Sequence, residues 1–238
     1  MQKMITAENI RNFAYVNENL CKKPIRGIVL SFFGLGTCVM YDKDIIEGEI
    51  CAEKGYLYVA PYSNPWSWMN AQAVAYADEV VDVLMEKYGL SEDIPIISTG
   101  GSMGGQSALV YCVYSRRTPK ACVVDCPVCD AVYHITERKD LPRTFYSALY
   151  DQNCTLDEAL KSISPLHLVQ KLPRIPYHIL HCETDTLVSP EAHSKRFAKA
   201  LEENGHSVTL DIVGGRGHCD LSLEGRRKFW DYVFENAD

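Results

Sequence analysis

The sequence predicts an α/β fold built on a mostly parallel central sheet with helices on both faces, and three observations carry that prediction. Short runs rich in Val, Ile and Tyr recur along the chain. Longer stretches with helical spacing separate them. The runs themselves are apolar without alternation, as strands buried on both faces are. They fall at residues 26–33, 56–60, 94–98, 121–125, 177–181 and 208–213. With 238 residues, 47% hydrophobic and 10% aromatic, the chain has material for one large core. One domain spanning residues 1–238 is therefore expected, and a disordered chain is excluded.

The connecting stretches follow in order. Residues 70–88 repeat Ala73, Ala77, Val80, Val81 and Leu84 at helical spacing, with Asp78, Glu79 and Asp82 on another face, which predicts an amphipathic crossover helix. Residues 106–114 read as a buried helix, and 190–204 and 221–236 as mixed polar and apolar helices, the former stopped by Gly205. Residues 126–175 break the rhythm, because fifty residues without a strand are too many for an ordinary connection. They read as a lid-like insertion. Inside it, Thr155 and Glu158 form a capping-box start for a helix that ends near Ser164-Pro165.

Charge narrows the function classes. Lys and Arg number 24 against 31 Asp and Glu, a formal net charge of −7. The basic residues cluster no further than the pairs Lys22-Lys23, Arg116-Arg117 and Arg226-Arg227, which excludes a nucleic-acid groove and suits a small neutral or cationic substrate. Residues 1–12 build no signal-like apolar run and no stretch reaches membrane-span length, so a cytoplasmic protein without membrane contact is expected. Self-association is left open. The ten cysteines mostly sit singly in apolar segments, as buried reduced thiols do. Cys126 and Cys129 have CxxC spacing and could form a redox pair or half a metal site. No second half follows, and no metal or cofactor is expected.

One constellation carries chemistry. Gly100-Gly101-Ser102-Met103-Gly104-Gly105 lies between an expected buried strand and an expected buried helix, the context a G-x-S-x-G nucleophile elbow requires. So tight a turn needs positions without side chains at Gly100 and Gly104. It projects the Ser102 hydroxyl at the carboxyl end of the sheet and leaves the Met103 amide at a helix N-terminus, where an oxyanion is stabilised. A phosphate-binding reading fails: no Walker-type loop occurs, and Gly34-Leu35-Gly36 leads to Val39 where a dinucleotide fingerprint needs a small residue.

A serine nucleophile needs a base and an acid that orients it. Of seven histidines, His218 alone sits in a glycine-rich loop directly after the last expected strand; His181, at a strand end, reads as structural. Asp185, in the loop after the strand at 177–181, leads as the acid, with Glu183 and Asp125 as rivals. The order Ser102, Asp185, His218 places each member after its own successive strand.

With these residues, nearly the whole chain resembles the α/β-hydrolase superfamily, most closely the prolyl oligopeptidase catalytic domain and related small esterases. Ser164-Pro165, Leu172-Pro173, Ile175-Pro176, Val188 and Pro190 extend the resemblance beyond the elbow. It implies that Ser102 is the nucleophile, His218 the general base and acid, and Asp185 the orienting carboxylate. It also implies a second oxyanion donor after the first central strand, here the backbone amide of Leu35 in Phe32-Phe33-Gly34-Leu35-Gly36, where a histidine usual in such enzymes is missing. Cys182 stands where relatives carry glycine.

The loop Pro61–Met69 carries Trp66 and Trp68, expected either to wall an acyl or side-chain pocket or to anchor the following helix. A lid over the site favours small substrates, and a chain of this length has no room for the propeller that filters peptides in large relatives. The expected function is a serine hydrolase acting through an acyl-enzyme on Ser102, a carboxylesterase on small acyl esters. A peptidase on short peptides is the alternative, and a non-catalytic hydrolase-fold binding protein a third reading.

Overall fold

A computed structural model describes residues 4–22, 24–37 and 39–235; the last residue of the helix expected at 221–236 lies outside them. The described residues form one seven-stranded sheet: β1 (Ala14–Val16), β2 (Gly27–Phe32), β3 (Tyr56–Pro61), β4 (Ile96–Gly101), β5 (Ala121–Asp125), β6 (Tyr177–Cys182) and β7 (Val208–Val213). Their spatial order is β1-β3-β2-β4-β5-β6-β7. Only β1 runs antiparallel, pairing Tyr15 with Ala60 of β3; the other pairs are parallel, as expected.

The pleat sends alternate side chains to two apolar layers. Ile28, Leu30 and Phe32 pack on one side with α2 (Ala71–Tyr88), α3 (Met103–Tyr114) and α7 (Arg196–Glu203). Val29, Tyr56 and Leu180 pack on the other with α1 (Ile46–Glu53) and α8 (Leu223–Glu235). α2 starts on Asn70, whose side chain accepts from the Ala73 amide at 3.0 Å, and stops at Gly89 in the left-handed region. Asp78, expected on the polar face of this helix, is buried instead. It accepts from the Tyr111 hydroxyl at 2.9 Å and pairs with Arg116, tying α2 to α3.

Two sequence expectations need correction. β7 was expected to be buried on both faces, yet its residues are half-buried or exposed, because it is an edge strand. The outward Asp211 on it accepts from Tyr232 at 2.9 Å and pairs with Lys228, both on α8. α1 and the three-residue β1 were not foreseen: α1 has almost no amphipathic pattern, and β1 is too short to show a period.

Between β5 and β6 the insertion folds as α4 (Ala131–Glu137), α5 (Leu141–Leu149), α6 (Leu156–Ser162) and a 3-10 turn (Pro165–Lys171). The capping box is present: the Glu158 amide donates to Thr155 Oγ1 and the Thr155 amide to the Glu158 carboxylate at 2.9 Å. Phe145, Leu149 and Leu160 form a third apolar cluster with Trp68, Met103 and Val188, above the carboxyl end of the sheet. The chain leaves β2 outward to β3 and then crosses to β4 on the other side. The crevice between the ends of β2 and β4 is thus the switch point at which open α/β sheets bind ligands. Among the described residues, no helix is long and apolar enough to cross a membrane.

Candidate active site

The elbow forms where β4 meets α3. Ser102 holds φ 58° and ψ −125°, a conformation costly for a residue with a side chain. It is fixed by its amide, which donates to the Asp125 carbonyl at 2.9 Å, and by its carbonyl, which accepts from the Gln106 amide at 3.1 Å. The glycines on either side are sterically required. A Cβ on Gly100 would lie 2.4 Å from the Gly104 backbone, and one on Gly104 would lie 2.0 Å from the Phe32 carbonyl oxygen. Gly104→Ala is accordingly expected to cost more than about 3 kcal/mol, or to leave no folded protein, because backbone on β2 would have to move. Thermal unfolding checks this; an unchanged Tm would contradict the close approach. Met103 is the first residue of α3, so its amide belongs to the turn that a helix leaves unpaired.

His218 reaches Ser102 from the loop after β7. Its Nε2 lies 2.8 Å from Ser102 Oγ and its Nδ1 2.6 Å from Asp185 Oδ2. Asp185 sits after β6 with its side chain fully buried. Its Oδ1 accepts from the amides of Leu187 at 2.9 Å and Val188 at 3.0 Å. Burial alone would raise its pKa. Hydrogen bonds from His181, His218 and the Val188 amide outweigh burial and hold the carboxyl well below its ordinary range. A charged acceptor on Nδ1 fixes the proton there and leaves the Nε2 lone pair facing the serine hydroxyl. Such an arrangement can draw the proton from Ser102 as its oxygen attacks.

The rival acids stand elsewhere. Glu183 accepts from the Gly215 amide at 2.9 Å and shapes the histidine loop, while Asp125 is mostly buried beside Cys126 with its pKa raised by burial. His181 is the residue that pattern reading undervalued. Its Nε2 faces Val188 O at 2.9 Å and Asp185 Oδ2 at 3.3 Å, so Asp185 lies between two imidazoles. Its spacing four residues before the acid was the available signal.

Ser102 and His218 open on a cavity of about 560 Å³ walled by Leu35, Trp68, Met103, Val128 and Val188, with Glu47, His134 and Arg138 among its polar residues. Leu35 therefore lines the space beside Ser102, at the end of β2. Glu47 comes from the unforeseen α1. Of the two tryptophans, Trp68 lines this cavity. It is fully buried, stacks on Phe145 at 4.0 Å and donates from Nε1 to Thr144 Oγ1 at 3.0 Å, so it also anchors the insertion. Trp66 does not line it: the residue turns to a separate cavity with Tyr62 and Tyr76, under the Arg143 guanidinium. Alternate positions of a turning loop point in different directions, which the count of two tryptophans could not resolve.

A polar knot pins the insertion. His193 Nδ1 accepts from the amides of Cys129 and Asp130, both at 3.2 Å, so its Nε2 carries the proton and donates to Glu137 at 2.9 Å. His134, kept neutral by burial, bonds the same carboxylate. A nitrogen that carries a proton is no metal ligand, so this cluster is a hydrogen-bond network. Burial opposes the charge of Glu137, but the two histidines hold its carboxyl down at about 2. A carboxyl lowered on folding contributes stability above its unfolded value near 4.5 and loses it as the pH falls towards 2. Glu137→Gln should thus cost about 1–2 kcal/mol at neutral pH, allowing for screening at its exposed edge. The deficit should shrink on acidification through that window. Unfolding curves across pH check it, and a deficit independent of pH would contradict it.

Cys126 and Cys129 do not converge. Cys129 is buried among apolar side chains with Val124 and Leu168, and Cys126 in the opposite layer with Val123 and Leu180.

The family model that matches is that of the prolyl oligopeptidase family, over residues 72–235, more than half of the chain. The chain belongs to the prolyl oligopeptidase family. Among solved structures, this family member is similar to the acylaminoacyl peptidase of Pyrococcus horikoshii, with TM-score 0.73 and 16% identity over 90% of this chain and 37% of that one. It is similar to the esterase Est2 of Thermogutta terrifontis, with TM-score 0.65 and 19% identity over 93% and 85%. It is also similar to a puromycin-hydrolyzing peptidase of Mycobacterium tuberculosis, with TM-score 0.68 and 18% identity over 83% and 31%. The chain spans little more than a third of the acylaminoacyl peptidase. No curated sequence matches it. At these identities the likeness shows the fold, which is that of the α/β-hydrolases.

Proposed function

We propose that this family member is a serine hydrolase that forms an acyl-enzyme on Ser102 and acts on small carboxylic esters. The observation that supports this most is the unbroken line Asp185, His218, Ser102, with bonds of 2.6 and 2.8 Å, ending at a cavity lined by both apolar and polar side chains.

In this reading the Ser102 hydroxyl donates its proton to His218 Nε2 while Oγ attacks the acyl carbon. The carbonyl electron pair moves onto oxygen, which the amides of Met103 and Leu35 receive. The imidazolium is stabilised by Asp185. Collapse of the tetrahedral adduct expels the alcohol, which takes the proton from Nε2. Water then repeats the sequence on the acyl-enzyme and returns the carboxylic acid and free Ser102. No metal or cofactor has a part. Trp68 flanks the acyl group, and a cavity of about 560 Å³ is of the size that takes small-molecule ligands.

The match to a peptidase family supports a second reading, hydrolysis of short peptides by the same residues. Paired substrates separate the two: a series of short-chain acyl p-nitrophenyl esters and a set of aminoacyl and prolyl p-nitroanilides, with Ser102→Ala as the blank. Efficient ester turnover with weak anilide turnover is expected. Strong anilide turnover with negligible ester turnover would reverse the order, and equal rates in the blank would end both.

A further inference from the structure

Beside the proposed nucleophile lie two thiols that the hydrolytic mechanism does not use. Cys219 follows His218, and its positive φ of 52° turns its sulfur back toward the site. Its Sγ stands 3.8 Å from His218 Nε2. Cys126, also at positive φ, follows β5 directly and meets it from below. The Sγ of Cys126, the Sγ of Cys219 and a ring nitrogen of His218 all lie within 4.8 Å of one another.

We propose that Cys126, Cys219 and His218 bind a soft divalent cation of the zinc type, and that the bound cation silences the hydrolase by occupying His218 Nε2.

Three features support a built site. A tetrahedral zinc centre with Zn–S near 2.3 Å and Zn–N near 2.0 Å places neighbouring ligand atoms roughly 3.5–3.8 Å apart. The Cys219 and His218 atoms already have that separation. Second, Cys126 Sγ accepts two backbone amides, from Cys182 at 3.3 Å and from Cys219 at 3.4 Å. A neutral thiol is a weak acceptor; two amides aimed at one sulfur match a metal-bound thiolate. Third, Asp125 has a carboxyl oxygen within 4.8 Å of Cys126 Sγ and a buried Oδ1 without a hydrogen-bond partner among the described residues.

The chemistry balances without an oxidant. In the free protein Cys126 holds its proton, its pKa raised by the hydrogen bond with Cys219 and by burial. The cation displaces one proton from each thiol into solvent, so a dication meets two thiolates and the centre is neutral. His218 loses no proton: Nδ1 keeps its hydrogen on Asp185, and the metal takes the Nε2 lone pair that otherwise accepts from Ser102. The serine is left without a base.

The effect on activity rests on the proposed function, whereas binding does not, and the test separates them. Under a non-chelating phosphine reductant, Ser102→Ala protein is titrated with cadmium and followed by thiolate-to-metal charge-transfer absorption. A band saturating at one ion per chain is expected, with zinc competing. Cys219→Ser, at an exposed position, and Cys126→Ser should each weaken binding at least about 10-fold. In parallel, zinc should inhibit the wild-type enzyme, a chelator should restore it, and Cys219→Ser should need correspondingly more zinc. Absence of the band, a band that survives both cysteine variants, or full activity with the site occupied would overturn the proposal. An enzyme inert toward every ester and anilide that still shows the band would sink the hydrolase reading and leave the metal site standing.

Discussion

Ser102→Ala is expected to lower kcat by at least about 10⁴-fold, with the fold and thermal stability intact. The size follows from the mechanism rather than from lost binding. In the proposed mechanism Ser102 supplies the atom that becomes covalently bonded to substrate, and without it His218 could only activate water that the site does not position. The cavity walls stay in place, so affinity for a non-hydrolysed analogue should change little. The side chain contributes its bond to His218 and almost no apolar area, so the variant should unfold near the wild-type temperature. Residual activity above about one part in a hundred, on protein shown free of wild type, would mean that another group attacks the substrate.

Asp185→Asn is expected to lower kcat by about 10³–10⁴-fold with KM nearly unchanged. The geometry dictates which way the amide must sit. The position of Oδ1 accepts two backbone amides, from Leu187 and Val188, so only the oxygen of an asparagine can occupy it. Its NH₂ is then forced to the position of Oδ2, facing His218 Nδ1. A donor there requires Nδ1 to carry the lone pair and Nε2 the hydrogen, the tautomer that cannot accept a proton from Ser102. The same NH₂ also faces the protonated Nε2 of His181, which keeps its bond to the Val188 carbonyl. The variant should also lose the acid dependence that Asp185 gives the wild type. A carboxyl lowered on folding contributes stability above its ordinary value near 3.8 and loses it as the pH falls below. A kcat within 10-fold of wild type would mean that the carboxylate does not set the tautomer.

What sequence could reveal followed from burial and from chain order. The strands from β2 to β6 were legible as short runs enriched in apolar residues, and β7 was found by the same enrichment although Thr209 and Asp211 interrupt it and it lies at an edge. Ser102, Asp185 and His218 were legible because each follows its own strand, where a parallel sheet collects loops. The helices α4 and α5 were not, since an insertion folds against the particular surface beneath it. Trp68 packs on Phe145, 77 positions away, a pairing that no local period encodes. Cys126 and Cys219 are 93 positions apart and meet only because β5 and the loop after β7 end at the same rim. The CxxC spacing pointed to Cys129 instead, and the turn after β5 sends that residue into the opposite apolar layer. Gln106 shows the same limit: it donates to the carbonyls of Trp68 at 3.1 Å and Ile163 at 2.7 Å, stitching the tryptophan loop to the insertion from inside a helix that sequence marked only as buried.

If Asp185 and His218 make Ser102 nucleophilic, a fluorophosphonate probe reacts at that hydroxyl. Folded wild-type protein should gain one adduct by intact mass, mapped to the peptide carrying Ser102, with labelling abolished in Ser102→Ala and slowed in Asp185→Asn. Folded protein that stays unlabelled, or that carries the adduct on another residue, would contradict the account.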